Sequence, residues 1–283
     1  MAPLADAPGA RWWVDRSGQA VASVVLAVAV TAWVTMLTLP GMQMPGMHAG
    51  MPPTMMFAPS DSMNMGAIAS IGWNWADLVT FTAAWALMMA AMMLPSATPM
   101  LALYGTVVRR RGLRTIAGRT TMFAAPYLAL WALSGIPVYA STVWIDTLIR
   151  SYRWAQEAAP YAVATTLLIA GIYQFTPLKR MCLANCRNPL NFLASHWRPG
   201  LAGAARIGFA HALYCFGCCA LLMVVLVAAG AMGLVWVLLI AGAVALEKLA
   251  PRWLGSPAIA GAAMVALGAA VALLPSLVSN LRS

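Results

Sequence analysis

Residues 211–225 read HALYCFGCCALLMVV, and this stretch decides how the chain is read. It opens an apolar run of about twenty residues, the length that a helix needs to cross a bilayer. It also carries His211, Cys215, Cys218 and Cys219. Residues four apart on a helix differ by about 40° in direction and residues seven apart by about 20°. His211, Cys215 and Cys218 therefore share one stripe, with Cys219 on its flank. One imidazole and two or three thiolates form a soft donor set suited to Cu(I), with Zn(II) as the alternative ion. A lone buried cysteine is usually an inert small hydrophobe. Three of the chain's five cysteines within five residues are harder to assign to packing.

The rest of the chain has the same character. Of 283 residues, 62% are hydrophobic and 8% are charged. A soluble domain carries roughly 25% charged residues. Apolar runs fall at about 20–39, 74–94, 121–144, 160–176, 207–229, 232–250 and 257–277. The expected fold is all-α: a polytopic transmembrane helix bundle of about seven helices, forming one integral membrane domain over residues 1–283. The first run is too long for the apolar core of a cleaved signal peptide and is expected to be the first span. The second is expected to continue past Pro95 towards Val108, kinked or broken there, with Pro95 freeing the carbonyl near Ala91. Asp77 at its outer end reads as a cap or as a cation attractor.

With the N-terminus in the cytoplasm, basic residues divide 14 inside to 3 outside. The positive-inside rule then favours N-terminus in, C-terminus out and a multi-pass location in a bacterial inner membrane. The net charge of +10 is accounted for in this way, with anionic lipid headgroups as partners rather than nucleic acid. A retinal protein is excluded because the last run has no lysine for a Schiff base.

Two further segments carry candidate ligands. Residues 40–70 form a Met-, Pro- and Gly-rich external loop with Met42, Met44, Met47, His48 and Met51. Thioethers are soft, neutral ligands that need no deprotonation, so this loop points to copper. In the second run Met88 and Met92, and likewise Met89 and Met93, lie four apart and share helix faces. They could ligate an ion or fill the core. Residues 177–206 are expected to be a basic cytoplasmic loop in which Cys182 and Cys186 form C-x-x-x-C. There Lys179, Arg180 and Arg187 favour the thiolate, and a structural disulfide is not expected.

Taken together, AMMLPSATPM, TPLKRMCLANC with NPLNFL, and HALYCFGCCALLM followed by LEKLAP resemble a bacterial family of predicted metal-binding integral membrane proteins whose function is essentially uncharacterised. The similarity runs from about Trp75 to Pro251. It picks out Met92, Met93, Pro95, Pro177, Lys179, Cys182, Cys186, His211, Cys215, Cys218, Cys219, Glu247 and Lys248. Ala220 stands where that family often has Trp.

The expected function is binding of a soft metal, foremost Cu(I), for copper transport or for delivery to a cuproenzyme. A periplasmic copper donor, a cuproenzyme or a homo- or hetero-oligomeric partner follows from that. The alternatives are a thiol-redox membrane protein and a metal-stabilised assembly subunit of a larger membrane complex. No phosphate-binding loop or hydrolytic triad is apparent, and three histidines offer no obvious pair for haem.

Overall fold

The computed structural model describes residues 15–38, 75–113, 115–228, 234–251 and 256–274. Among them are ten α-helices and no strand. They are α1 (Arg16–Thr38), α2 (Trp75–Arg110), α3 (Ile116–Leu133), α4 (Gly135–Ser151), α5 (Arg153–Tyr173), α6 (Pro177–Arg187), α7 (Pro189–His196), α8 (Gly200–Ala228), α9 (Leu234–Leu249) and α10 (Pro257–Leu273). The external Met segment, with Met42, Met44, Met47, His48 and Met51, lies outside the described residues.

Four helical segments are long and apolar enough to cross a membrane: α1, α2, α3 continued by α4, and α8. A fifth is formed if α5 and α6, bent by 64° at their junction, count as one. α9 and α10 are 16 and 17 residues long, short of the roughly 20 that a straight span needs. The outer faces of the long helices are apolar and open, as at Val24, Val30, Trp75, Val79 and Trp144, each at least 60% exposed. In water such surfaces would be a liability. Lipid would cover them.

The core is built on α2 and α8. α1 packs along α2, α3 lies against both α2 and α8, α6 sits on α8, and α10 packs on α5. Two close approaches depend on glycine. A Cβ at Gly208 of α8 would meet the carbonyl of Phe123 in α3. One at Gly171 of α5 would lie 2.9 Å from the carbonyl oxygen of Gly261 in α10. Small residues allow such backbone contact between apolar helices, where packing replaces the hydrophobic drive available in water.

Segment 177–196 folds into α6 and α7. Thr176 caps α6 by accepting from the Lys179 amide at 3.3 Å, and Pro177 occupies its first turn. α6 is thereby turned back onto α8. At the other end of the chain, the carboxylate of Asp15 pairs with the Arg109 guanidinium, with Nε donating at 3.0 Å. That hydrogen bond holds the carboxyl below the ordinary range. It also sets the start of α1 beside the end of α2, so these two basic regions share one side of the bundle.

Helix α2 runs without interruption through Pro95 and Pro99. Pro95 removes the amide that would have bonded the Ala91 carbonyl, and the Trp33 indole of α1 fills that vacancy, with Nε1 donating to it at 3.0 Å. Trp33→Phe should therefore destabilise the protein by about 1–3 kcal/mol, the cost of an unsatisfied buried carbonyl. Pro95→Ala restores the helical donor and should make the same change close to neutral. Thermal melts of the single and double variants in detergent measure this coupling.

Candidate metal centre

On α8, His211, Cys215, Cys218 and Cys219 are all buried, each at most 3% exposed. The stripe expected from helical spacing therefore faces the protein interior. α6 brings a fourth thiol to it. Cys186 Sγ lies 3.9 Å from Cys218 Sγ, and Cys218 Sγ lies 3.3 Å from Cys219 Sγ. Metal–thiolate bonds of about 2.3 Å let two sulfurs on one ion sit up to about 4.6 Å apart. The Cys186–Cys218 pair is within that reach across two helices. Cys218 also donates to the Cys215 carbonyl at 3.1 Å.

Cys182 is placed differently from Cys186. It is buried against the bare backbone of Gly217, where a Cβ would lie 2.8 Å from its sulfur. Gly217 thus leaves room for α6 to lie close on α8. Of the C-x-x-x-C pair, Cys186 joins the other thiols and Cys182 anchors the helix that carries it.

Cys215 adjoins Cys186, Cys218 and Cys219 and also has partners on other helices. The Tyr127 hydroxyl of α3 lies 3.2 Å from its sulfur and donates to the Met93 carbonyl at 3.4 Å. Lys248 of α9 directs its ammonium at the same sulfur at 3.0 Å and at Ser96 Oγ at 3.2 Å. Sequence patterning placed Lys248 among the inner-loop charges; it is buried instead, 8% exposed. Lys179 is likewise withdrawn from solvent, at 0%. It donates to Glu247 Oε2 at 2.6 Å and to the Cys218 carbonyl at 2.5 Å. Among the described residues, the cation in hydrogen-bond contact with a thiol is Lys248, from a helix distant in sequence.

His211 packs between aromatic rings, with Tyr127 stacked at 5.5 Å and Phe192 edge-on at 5.5 Å. Its Nδ1 is buried with no hydrogen-bond partner. A buried imidazole nitrogen without a partner is costly, and a soft cation would satisfy it. Met88, Met89, Met92 and Met93 are all buried in the core of α2. Met93 is joined to the thiol group through its backbone carbonyl. Among the described residues no three His, Cys, Asp or Glu side chains are arranged as a ready metal site. The sulfurs are adjacent but do not form a closed cage.

Tyr127, Ser96 and the roles of Lys179, Glu247 and Lys248 were not apparent from motif spacing. Tyr127 and Ser96 give no signal in a single sequence. The Glu-Lys dipeptide inside an apolar helix does, because charges there are expensive and generally paired.

Long apolar helices close around a thiol-rich interior. Residues 82–271 match the copper chaperone family PpoB2. That is well over half of the chain, and the chain belongs to this family. No curated protein and no solved structure matches it.

The Lys179–Glu247 pair offers a direct test of what holds the centre together. Glu247→Gln leaves a buried ammonium without its counter-charge and should cost about 3–5 kcal/mol. Lys179→Met with Glu247→Leu removes both charges and should recover most of that loss. Thermal unfolding of the two variants in one detergent measures the difference.

Proposed function

We propose that this protein is an integral membrane copper chaperone that accepts Cu(I), holds it at Cys186, Cys218 and Cys219 with Cys215 and His211 adjoining, and passes it to a cuproenzyme. The observation that carries this reading is the meeting of Cys186 with Cys218 across α6 and α8, in a chain of the copper chaperone family. Thiolates select soft ions such as Cu(I) over hard ones. Cu(I) also accepts few ligands, so adjacent sulfurs without a closed cage suit a carrier that must release its cargo. The thiols give up their protons as the ion binds.

In this reading the chain crosses a bacterial inner membrane several times, in seven spans, with the N-terminus in the cytoplasm. The distribution of basic residues supports that orientation, and the apolar outer faces of the long helices support the bilayer. The segment containing Met42, Met44, Met47, His48 and Met51 captures copper outside and hands it on, by way of the methionines of α2, to the thiols. Transport across the membrane and delivery at one face both fit this order. A second reading, thiol-redox exchange, is favoured by the same Cys186–Cys218 contact, which sulfur oxidation could close into a disulfide.

Copper measured after anaerobic purification in detergent and loading with Cu(I) separates the two. The wild type should retain stoichiometric copper. Cys215→Ser with Cys218→Ser should lose it at equilibrium, and deletion of residues 42–65 should slow loading while leaving the final occupancy intact. Wild-type thiols that bind no copper but cycle to a disulfide with a quinone would replace the chaperone reading with the redox one.

A further inference from the structure

Cys215, Cys218 and Cys219 are sealed from solvent and Cys186 is half-buried, so copper arriving on the side of α7 needs a way in. A cavity of about 530 Å³ opens where α7 turns into α8, with Ser195, His196, Arg198, Arg206, Ile207 and Ala210 in its wall. Ile207 and Ala210 precede His211 by four residues and one on the same helix. The cavity therefore lies against the end of the stripe nearest the start of α8, which leads on to Cys215.

His196 is prepared as a ligand. Its Nδ1 lies 3.1 Å from the Phe192 carbonyl and 2.9 Å from Ser195 Oγ. A carbonyl only accepts, so Nδ1 is the donor nitrogen of this ring and Nε2 is the one left for a ligand. Metal-ligating histidines are oriented by this kind of bond from the second nitrogen to a backbone carbonyl. The ring stacks on Phe192 at 4.5 Å, and Phe192 in turn contacts the His211 ring at 5.5 Å. The two imidazoles thus flank one phenyl ring, His196 at the cavity and His211 in the interior with its unpartnered Nδ1.

The charge of the cavity specifies the form in which copper arrives. Arg198 and Arg206 are exposed, and neither guanidinium has a hydrogen-bond or ion-pair partner among the described residues. No acidic side chain lines the wall. A free cuprous ion would be repelled there. A carrier with carboxylates would be attracted, because arginine binds carboxylate through paired N–H donors. The volume lies within the range of about 300–1,000 Å³ typical of small-molecule sites.

We propose that this cavity docks an anionic low-molecular-weight thiol carrying Cu(I), with its carboxylates on Arg198 and Arg206 and its copper presented to His196. This rests on the reading of the buried thiols as a copper site. In the transfer, the bond from copper to the carrier sulfur breaks as the bond to His196 Nε2 forms. The ion then passes by way of His211 to the protein sulfurs. One protein thiol passes its proton to the departing carrier thiolate, and the protons of any further thiols that bind go to water. Copper remains Cu(I) throughout, and no electron is exchanged.

The test compares two sources of Cu(I) for the anaerobic full-length protein in detergent: the glutathione complex, which is anionic, and the acetonitrile complex, which is not. Loading is followed at low and high salt, and equilibrium copper occupancy is measured alongside the rates. Arg198→Ala with Arg206→Ala should slow loading from glutathione about tenfold at low salt, as loss of steering charges does. Its rate from the acetonitrile complex should not fall. Arg198→Lys with Arg206→Lys should retain much of the wild-type rate from glutathione. His196→Gln should slow both sources and leave the equilibrium occupancy unchanged. Equal rates from glutathione for wild type and the double alanine variant would overturn the proposal while leaving the thiol site standing. A wild type that takes up copper from neither source would overturn the underlying reading as well.

Discussion

The structure turns on a buried ammonium. Lys179 lies at the start of α6 and bonds the Glu247 carboxylate of α9 and the Cys218 carbonyl of α8. Three helices that are distant in sequence are therefore fixed at one point, and each brings part of the thiol centre to it. α6 supplies Cys186, α8 supplies His211 and three cysteines, and α9 supplies Lys248. Burying two charges costs several kcal/mol each before their attraction is counted. Hydrophobic residues would hold three apolar helices together without that cost. A charged clamp does what an apolar contact cannot, because it fixes α6 in one register on α8 and so sets the distance between Cys186 and Cys218.

The second buried cation has a different place. Lys248 follows Glu247 in sequence but points to Cys215 and Ser96. Adjacent residues on a helix project about 100° apart, so one short Glu-Lys pair serves two neighbours of α8. Glu247 addresses the helix that carries Cys186, and Lys248 addresses the thiol one turn before Cys219. The ammonium thus sits at the buried sulfur of Cys215 rather than at the surface.

Much of this was legible in the sequence and some was not. The apolar runs marked the helices, and the spacing of His211, Cys215, Cys218 and Cys219 fixed a common face that is indeed buried. Pro95 announced a free carbonyl, although only the fold could show that Trp33 receives it. Cys182 and Cys186 look equivalent on paper. Their separation into an anchor and a member of the thiol group depends on the exact seat of α6 against Gly217, which helical period does not encode. The lysines misled for a physical reason. Counting charges by loop assumes that they sit in water, whereas Lys179 pairs with Glu247 and Lys248 hydrogen-bonds Cys215 inside the protein, partners 68 and 33 residues distant in sequence.

The central claim is that copper is shared between α6 and α8 through Cys186 and Cys218. X-ray absorption at the copper edge of the Cu(I)-loaded protein addresses this most directly, with Cys186→Ser measured beside the wild type. The account predicts a cuprous edge and a shell of sulfur at about 2.3 Å, with fewer sulfur neighbours in the variant. A shell of nitrogen or oxygen only, or a sulfur shell that Cys186→Ser leaves unchanged, would contradict it.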